Sequence, residues 1–193
     1  HRLLIDYPNI VFIAEEEVTK DLSVVNKIIH QLSLKGCSRD SLLVGFGGGA
    51  VTDIVGFVAS IYMRGVDHIF IPTTLLAMVD ASIGGKTGVN LPIDRTDGSS
   101  VWGKNLIGSY WQPHLVVADV DTLQSLDDRQ FCSGLAECVK HSMLGHDDLR
   151  IFIQQNTNAI LGRDAEVLIE LVARSATIKT EIVSKDERES GCR

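Results

Sequence analysis

The chain has 193 residues, of which 45% are hydrophobic and 22% are charged. This length and apolar content are enough for a buried core in one globular domain or one and a half. The formal net charge of −7 argues against a protein that binds duplex nucleic acid or a polybasic membrane-binding surface, because both need an excess of lysine and arginine.

The first two thirds of the chain alternate between strand-like and helix-like apolar patterns. Strands are predicted over residues 10–14, 42–46, 68–72 and 115–119, and helices over residues 22–34, 51–62 and 74–83. Alternation of this kind is typical of a parallel sheet covered by helices. We therefore predict an α/β fold with a Rossmann-like parallel sheet.

From Asp127 onward, helices are the only predicted elements. They cover residues 131–144, 148–159 and 165–183. A boundary near Ser125 then separates an α/β domain of residues 1–125 from an all-helical part of residues 126–193. Both ends look truncated, since the chain starts just before a strand and stops without a terminal element.

A glycine run joins the second predicted strand to the helix that follows it. Gly47, Gly48 and Gly49 let the backbone approach an anion, and the N–H groups at the helix start favour a pyrophosphate there. Asp53, expected in the first helical turn, accepts a hydrogen bond from a cofactor hydroxyl or caps the helix. The spacing matches neither G-x-G-x-x-G nor the P-loop, so tight packing of helix on sheet explains the glycines equally well.

Two further glycine-containing segments are predicted to be loops. Residues 84–90 place Lys86 among exposed backbone amides, where phosphate or carboxylate oxygens bind, although a flexible turn with a solvated lysine fits as well. The segment Gly103-Lys104-Asn105 has the same character. Residues 94–100 are rich in turn formers and are predicted to be an exposed loop.

Other polar residues lie at predicted element ends. Thr73 and Thr74 follow a strand, where they contact a cofactor at the carboxyl edge of the sheet or cap the next helix. Glu17 and Lys20 follow the first predicted strand and either hold a ribose or begin a solvated helix. Arg64 closes a helix, where a cation is favourable.

The helix predicted over residues 131–144 carries a charged pair. Glu137 and Lys140 are three residues apart and therefore share one face. The carboxylate is a candidate metal ligand and the lysine a candidate substrate or proton-handling group, while an exposed ion pair is the alternative. His141, four residues after Glu137, completes a ligand pair or is structural.

The cysteines and the hydropathy pattern indicate the cellular compartment of the protein. Cys37, Cys132, Cys138 and Cys192 form no C-x-x-C pair and no regular framework, which favours reduced thiols. The chain contains no run of 18 apolar residues and no signal-peptide pattern at its start. We expect a cytoplasmic protein without a membrane partner.

Taken in order, these segments resemble the 3-dehydroquinate synthase family of sugar phosphate cyclases. The match runs from about Glu15 to the last residue. The motifs that carry it are residues 47–53, 62–65, 71–77, 80–90, 104–108, 134–140 and 185–193. Each motif is modest alone, but their order is highly specific.

The resemblance implies a lyase of the shikimate pathway, which serves aromatic amino acid biosynthesis. The family cyclises 3-deoxy-arabino-heptulosonate 7-phosphate to 3-dehydroquinate. Bound NAD oxidises a substrate hydroxyl, phosphate is eliminated, NADH returns the hydride, and the opened enol closes by aldol addition. Zinc or cobalt acts as a Lewis acid. The implied partners are the phosphorylated sugar-acid substrate and, in a homodimer, a second copy of the chain.

The family's functional residues map onto this chain by motif. NAD contacts are implied for Glu17, Lys20, Gly48, Gly49, Asp53, Thr73, Thr74, Lys86, Lys104, Thr122 and Ser125. Substrate contacts are implied for Lys86, Asn105, Lys140, Arg64, Lys179 and Arg193. Asp80 falls at the junction of cofactor and substrate, and Glu137 matches the zinc-binding glutamate.

The chain departs from the family pattern in four places. The family's two zinc-binding histidines fall beyond Arg193, so neither His141 nor His146 is assigned as a ligand. The first strand of the NAD domain is missing. Residues 94–102 lengthen one loop, and Ala81 replaces a more usual serine.

Three alternatives stay open. Sister cyclases such as 2-epi-5-epi-valiolone synthase commonly replace Gly85 with an aliphatic residue, so the retained glycine favours dehydroquinate, whereas Ala81 favours the sisters. Metal-dependent alcohol and glycerol dehydrogenases usually place a lysine soon after the aspartate of the glycine motif, but here residues 54–57 are apolar or glycine. The third alternative is a non-catalytic fragment that binds a nucleotide.

Overall fold

The structure is a computed structural model that describes residues 20–191. The predicted strand over residues 10–14, Glu17 and Arg193 therefore lie outside the described residues. The helices are α1 (Leu22–Leu34), α2 (Gly49–Ile61), α3 (Asp128–Ser142), α4 (Asp147–Gln155), α5 (Thr157–Leu161) and α6 (Ala165–Lys185). The strands are β1 (Leu42–Gly47), β2 (Asp67–Pro72), β3 (Lys86–Asp94), β4 (Ser100–Tyr110) and β5 (Leu115–Val116).

A three-stranded parallel sheet with the order β1-β2-β5 forms the α/β part. The strands predicted over residues 42–46 and 68–72 are confirmed. The strand predicted over residues 115–119 keeps only Leu115–Val116, because the chain then turns into a 3-10 helix, Val120–Ser125. Asp119 caps that helix by accepting a hydrogen bond from the Asp121 N–H, which ends the extended backbone.

Helices α1 and α2 pack against each other through buried apolar side chains. Asp21 begins α1 by accepting hydrogen bonds from the N–H groups of Ser23 and Val24. The cluster between the helices contains Val25, Ile28 and Leu32 from α1 and Ile54, Phe57 and Val58 from α2. Both helices lie where the apolar periodicity predicts them.

The antiparallel hairpin of β3 and β4 corrects two loop predictions. Only Gly84 and Gly85 form a turn, with φ of 99° and 66°, and residues 86–90 belong to β3. The segment Gly103-Lys104-Asn105 lies within β4. A Cβ atom on Gly108 would sit 2.1 Å from the Thr87 carbonyl oxygen, so this glycine allows close strand pairing. The tip of the hairpin, residues 95–99, is exposed, as predicted.

The helices after Asp127 share their core with an earlier segment. Leu75, Met78 and Val79 belong to the same buried cluster as Phe131 of α3 and Leu171 of α6. The division of the chain near Ser125 thus remains a prediction. Among the helices of residues 20–191, none combines the length and the apolar character needed to cross a membrane.

The helix predicted over residues 74–83 is a short helical segment that ends in a π-helical turn, Ala77–Ala81. Thr74 caps it, since its hydroxyl oxygen accepts a hydrogen bond from the Ala77 N–H at 3.2 Å. The Ser82 N–H and hydroxyl both donate to the Ala77 carbonyl and close the turn. Asp80 lies within it, and π-helical turns are frequent at functional sites.

His68 on β2 is fully buried, and neither of its ring nitrogens has a hydrogen-bond partner within residues 20–191. Burial, with a smaller contribution from His114, lowers the pKa of His68 from 6.5 to about 4. Between these pH values, His68 is therefore protonated in the unfolded chain but neutral in the folded chain. Stability is accordingly full above pH 6.5 and falls as the pH drops toward 4.

We expect the free energy of unfolding to be about 2–3 kcal/mol lower at about pH 4.5 than at about pH 7.5 on account of His68. His68→Leu should remove most of this pH dependence, because leucine carries no proton. Urea unfolding at both pH values measures it, with the exposed His30→Gln as control. An equal pH dependence in His68→Leu would contradict the assignment.

Candidate active site

A buried lysine links three segments near the glycine loop. The Lys20 ammonium donates hydrogen bonds to Asp53 Oδ2 at 2.5 Å and to Asn105 Oδ1 at 2.6 Å. Lys20 is only 2% exposed, so the Asp53 carboxylate compensates a charge that has lost its water. This contact brings together residues that are up to 85 positions apart in the chain.

Asn105 reaches this cluster through an unusual backbone conformation. Its φ is 53°, in the left-handed region, where asparagine is more tolerated than most residues. Its N–H donates to Asn90 Oδ1 at 3.0 Å, and the Asn90 N–H donates to the Lys20 carbonyl at 2.8 Å. The strand register shifts between Val89 and Leu91, next to this pair. The hairpin thus holds Asn105 beside Lys20 and Asp53.

The glycine loop has the predicted strand-to-helix form. Gly48 is the N-cap residue of α2 and offers no side-chain cap, which leaves backbone N–H groups of the first turn available to an anion. Because α2 begins at Gly49, Asp53 lies in the second turn. The prediction of Asp53 in the first turn is therefore wrong, and its carboxylate binds Lys20 instead of capping the helix.

A second cluster lies between the π-helical turn, α3 and α6. One ligand atom each from Asp80, Glu137 and His141 falls within 4.8 Å of the others. Glu137 and His141 are one helical turn apart on α3, which places both on the side facing α6. Carboxylate oxygens and imidazole nitrogens are ligands that zinc accepts. The cluster is the candidate metal centre of the described residues.

Two lysines neutralise the carboxylates of this cluster. The Lys179 ammonium lies 2.5 Å from Asp80 Oδ1, and the Lys140 ammonium donates to Glu137 Oε2 at 2.9 Å. The hydrogen bond to Glu137 raises the pKa of Lys140, so this amine stays protonated at neutral pH. The site therefore offers two cations, one of them on the largely exposed Lys140, to an anionic ligand.

His141 is the residue of this cluster that sequence reasoning left unassigned. Burial lowers the pKa of His141, although Asp80 acts in the opposite direction, so the ring is neutral near pH 7. The four-residue spacing predicts that His141 lies on the same face of the helix as Glu137. Its contact with Ser175 on α6 could not be predicted from the sequence around His141. Cys138 follows Glu137 on α3, and burial raises the pKa of its thiol to about 11, which keeps the thiol protonated at neutral pH.

The glycine loop, residues 47–49, lies next to the π-helical turn that contributes Asp80 to the second cluster. A Cβ atom on Gly49 would lie 3.3 Å from the Ala81 Cβ, and one on Gly48 would lie 3.1 Å from the Thr74 methyl group. Asp80 directly precedes Ala81. The start of α2 therefore lies against the turn that carries Asp80.

The other residues assigned by motif are more scattered. Lys86 at the start of β3 pairs with Glu189, and Gln112 Nε2 donates to Glu187 Oε1 at 2.9 Å. These contacts fasten the turn that precedes Arg193 to the hairpin. Lys104 directly precedes Asn105 on β4. Arg64 ends the short helical turn after α2, and Thr122 and Ser125 lie in the 3-10 helix.

Two family models together match nearly the whole chain. The 3-dehydroquinate synthase N-terminal model matches residues 10–133, and the 3-dehydroquinate synthase C-terminal model matches residues 134–193. A 3-dehydroquinate synthase from Thermodesulfovibrio yellowstonii is 48% identical over 186 residues, which is 96% of this chain and 49% of the relative. The chain thus spans about half the length of the curated relatives it matches.

Two solved structures share the fold. A 2-epi-5-epi-valiolone synthase from Streptomyces hygroscopicus subsp. jinggangensis 5008, with NAD+ and Zn2+ bound, has a TM-score of 0.83 and 28% identity over 93% of this chain and 48% of its own. A 2-deoxy-scyllo-inosose synthase in complex with carbaglucose-6-phosphate, NAD+ and Co2+ has a TM-score of 0.79 and 30% identity, and the match covers 91% and 45% of the two chains.

Proposed function

The chain belongs to the 3-dehydroquinate synthase family, and on that premise we propose that the protein containing it converts 3-deoxy-arabino-heptulosonate 7-phosphate to 3-dehydroquinate. The observation that carries the proposal is the contact between the glycine loop and the π-helical turn, whose Asp80 belongs to the same cluster as Glu137 and is paired with Lys179, as Glu137 is with Lys140. A redox cofactor, a metal and an anionic substrate each find suitable groups there.

NAD is proposed to bind at the start of α2. Gly48 and Gly49 would face its pyrophosphate, and the Lys20–Asp53 pair would hold a ribose, with Asn105 beside this pair available to the substrate. When bound, NAD supplies a temporary hydride acceptor. The Thr74 side chain lies close to Gly48 in this loop. The chain's contribution is to orient the cofactor so that it ends beside Asp80.

A divalent metal is proposed to bind at Glu137. Asp80 Oδ1 is buried and lies 2.5 Å from the Lys179 ammonium, and a carboxylate has further lone pairs with which it can accept a second cation. Zinc supplies Lewis acidity that lowers the pKa of a substrate hydroxyl. Lys140 and Lys179 then bind the carboxylate or phosphate oxygens of the substrate as protonated amines.

Asp53→Ala is expected to weaken NAD binding by about 1–3 kcal/mol, since it removes one hydrogen-bonding carboxylate from the proposed ribose site. It also leaves the buried Lys20 ammonium without its carboxylate, so thermal stability should fall as well. Calorimetric titration with NAD measures the affinity. Asp67→Ala, which removes an exposed carboxylate paired with His114, is the control. Unchanged affinity in Asp53→Ala would exclude the assignment.

The reaction is tested by supplying two substrates separately to the full-length protein. We expect phosphate release from 3-deoxy-arabino-heptulosonate 7-phosphate, with no net gain of absorbance at the NADH wavelength. Steady accumulation of NADH from an alcohol would instead indicate a dehydrogenase. A protein that binds NAD but releases no phosphate from either substrate would be a nucleotide-binding protein without this chemistry.

A sister cyclase activity is the second candidate. The fold matches a 2-epi-5-epi-valiolone synthase with a TM-score of 0.83, and Ala81, which replaces the more usual serine, contacts the glycine loop beside Asp80. Sedoheptulose 7-phosphate is therefore the second substrate of the assay. Phosphate release from sedoheptulose 7-phosphate alone would assign the protein to the sister activity.

A further inference from the structure

The buried side chains of His141 and Ser175 form a pair next to the carboxylates of Asp80 and Glu137. His141 Nδ1 lies 2.7 Å from Ser175 Oγ, and the two residues are 2% and 0% exposed. The contact with Ser175 occupies Nδ1, which leaves the second ring nitrogen, Nε2, to the groups on the other side of the ring. Buried polar side chains are usually hydrogen-bonded, so a partner for Nε2 is expected among those groups.

The groups that face His141 are charged. A ring nitrogen of His141 lies within 4.8 Å of a carboxylate oxygen of Asp80 and of Glu137. A hydrogen bond needs a donor–acceptor distance of about 3 Å, so it requires the Glu137 side chain to lie closer to the ring than this limit of 4.8 Å. Lys179 is one turn after Ser175 on α6 and pairs with Asp80. The charges around the imidazole thus come from α3, α6 and the π-helical turn.

We propose that His141 is a positioning residue for the metal-binding carboxylate. In this arrangement the Ser175 hydroxyl donates to Nδ1, which fixes the ring and its tautomer, and Nε2–H donates to the Glu137 carboxylate. A neutral donor orients that carboxylate without changing the balance between two carboxylates and two ammonium groups. The inference deepens the proposed function, because it assumes that Glu137 holds the metal.

Partners of this kind commonly change metal affinity by about 10-fold to 100-fold when they are lost. In the full-length protein, His141→Asn should therefore weaken zinc binding by about tenfold or more, because it lacks a donor at the Nε2 position. His141→Gln, whose amide reaches that position, should recover most of the affinity. Ser175→Ala, which removes a single atom, should lie between the two and shift the absorption bands of the Co2+-loaded protein.

The measurement is competition with a chelating dye for Zn2+ in the absence of substrate, with thermal unfolding followed in parallel. His146→Gln, a histidine on the next helix start, is the matched control and should leave zinc affinity unchanged. If His141→Asn and His141→Gln lose thermal stability equally while zinc affinity stays at the wild-type value, His141 is only a core residue and the proposal is wrong. If the histidine variants fail to fold, Ser175→Ala decides by the same readouts.

The outcomes separate this inference from the proposed reaction. Zinc binding that is weakened by His141→Asn and by Ser175→Ala but recovered in His141→Gln, in a protein that releases no phosphate, would support the inference and reject the reaction. Phosphate release with a zinc affinity that does not depend on His141 or Ser175 would support the reaction and reject the inference. A wild-type protein that binds no zinc would overturn both the metal assignment and the inference.

Discussion

Replacing Lys140 by alanine in the full-length protein is expected to lower kcat by about a hundredfold or more while NAD affinity stays within about twofold. Lys140 is 60% exposed and points its ammonium at Glu137, so its loss costs the fold little. Because its pKa is raised, Lys140 is protonated at rest, and we expect it to act toward the proposed substrate as a cation and not as a base. Loss of a group that contacts the substrate but not the cofactor should change turnover selectively.

The chain offers a matched control for this variant. Arg150 and Asp147 on α4 form another exposed ion pair three residues apart, at 2.8 Å, nearly the same as the 2.9 Å of Lys140 and Glu137. Arg150→Ala should leave kcat unchanged. Steady-state kinetics with heptulosonate phosphate and calorimetry with NAD compare the two variants. Equal kcat values for Lys140→Ala and Arg150→Ala would mean that Lys140 only forms a surface ion pair with Glu137.

The parts of the fold that could be predicted are those set by local periodicity. The spacing of Val25, Ile28 and Leu32 defines the buried face of α1, and the apolar runs of β1 and β2 define two strands of the sheet. Both signals lie within one element. The order of these elements indicates a parallel sheet because each crossover contains a helix.

The hairpin was missed because its glycines act across strands. Gly88 and Gly108 face each other in the register of β3 and β4, and both lack the side chain that would push the strands apart. Within one segment, such glycines look the same as those of a loop. The additional residues in 94–102 also made the pairing of β3 with β4 hard to predict, because they separate the two strands in the sequence.

The site was predictable in its residue types but not in its contacts. Helical spacing places Glu137 and His141 on one face, yet Ser175 lies 34 residues later and Lys179 one turn beyond it. Similarly, the Lys20–Asp53 pair joins residues 33 positions apart. Such pairs depend on how elements pack, which a single sequence does not specify. The roles assigned by motif therefore remain predictions for the experiments above.

Gly134→Ala is expected to lower the free energy of unfolding by about 3 kcal/mol or more. A Cβ atom there would lie 2.6 Å from both Leu75 Cβ and the Leu76 backbone nitrogen. Backbone cannot move aside as a flexible side chain can, so α3 would have to leave the segment that leads into the π-helical turn. That movement opens the shared core, which contains Phe131 and Cys138 as well as Leu75.

The sign of this effect is diagnostic, because alanine is favoured over glycine within a helix by about 1 kcal/mol. Propensity alone would make Gly134→Ala stabilising, so a loss of stability can come only from the close contact with Leu75 and Leu76. Glu137 is one turn after Gly134, and Asp80 follows Leu76 by four residues, so zinc affinity should fall together with stability. Denaturant unfolding and zinc competition measure the two losses, with the exposed neighbour Ser133→Ala as control. A Gly134→Ala protein as stable as wild type, with unchanged zinc affinity, would mean that α3 and the π-helical turn are not held together at this point.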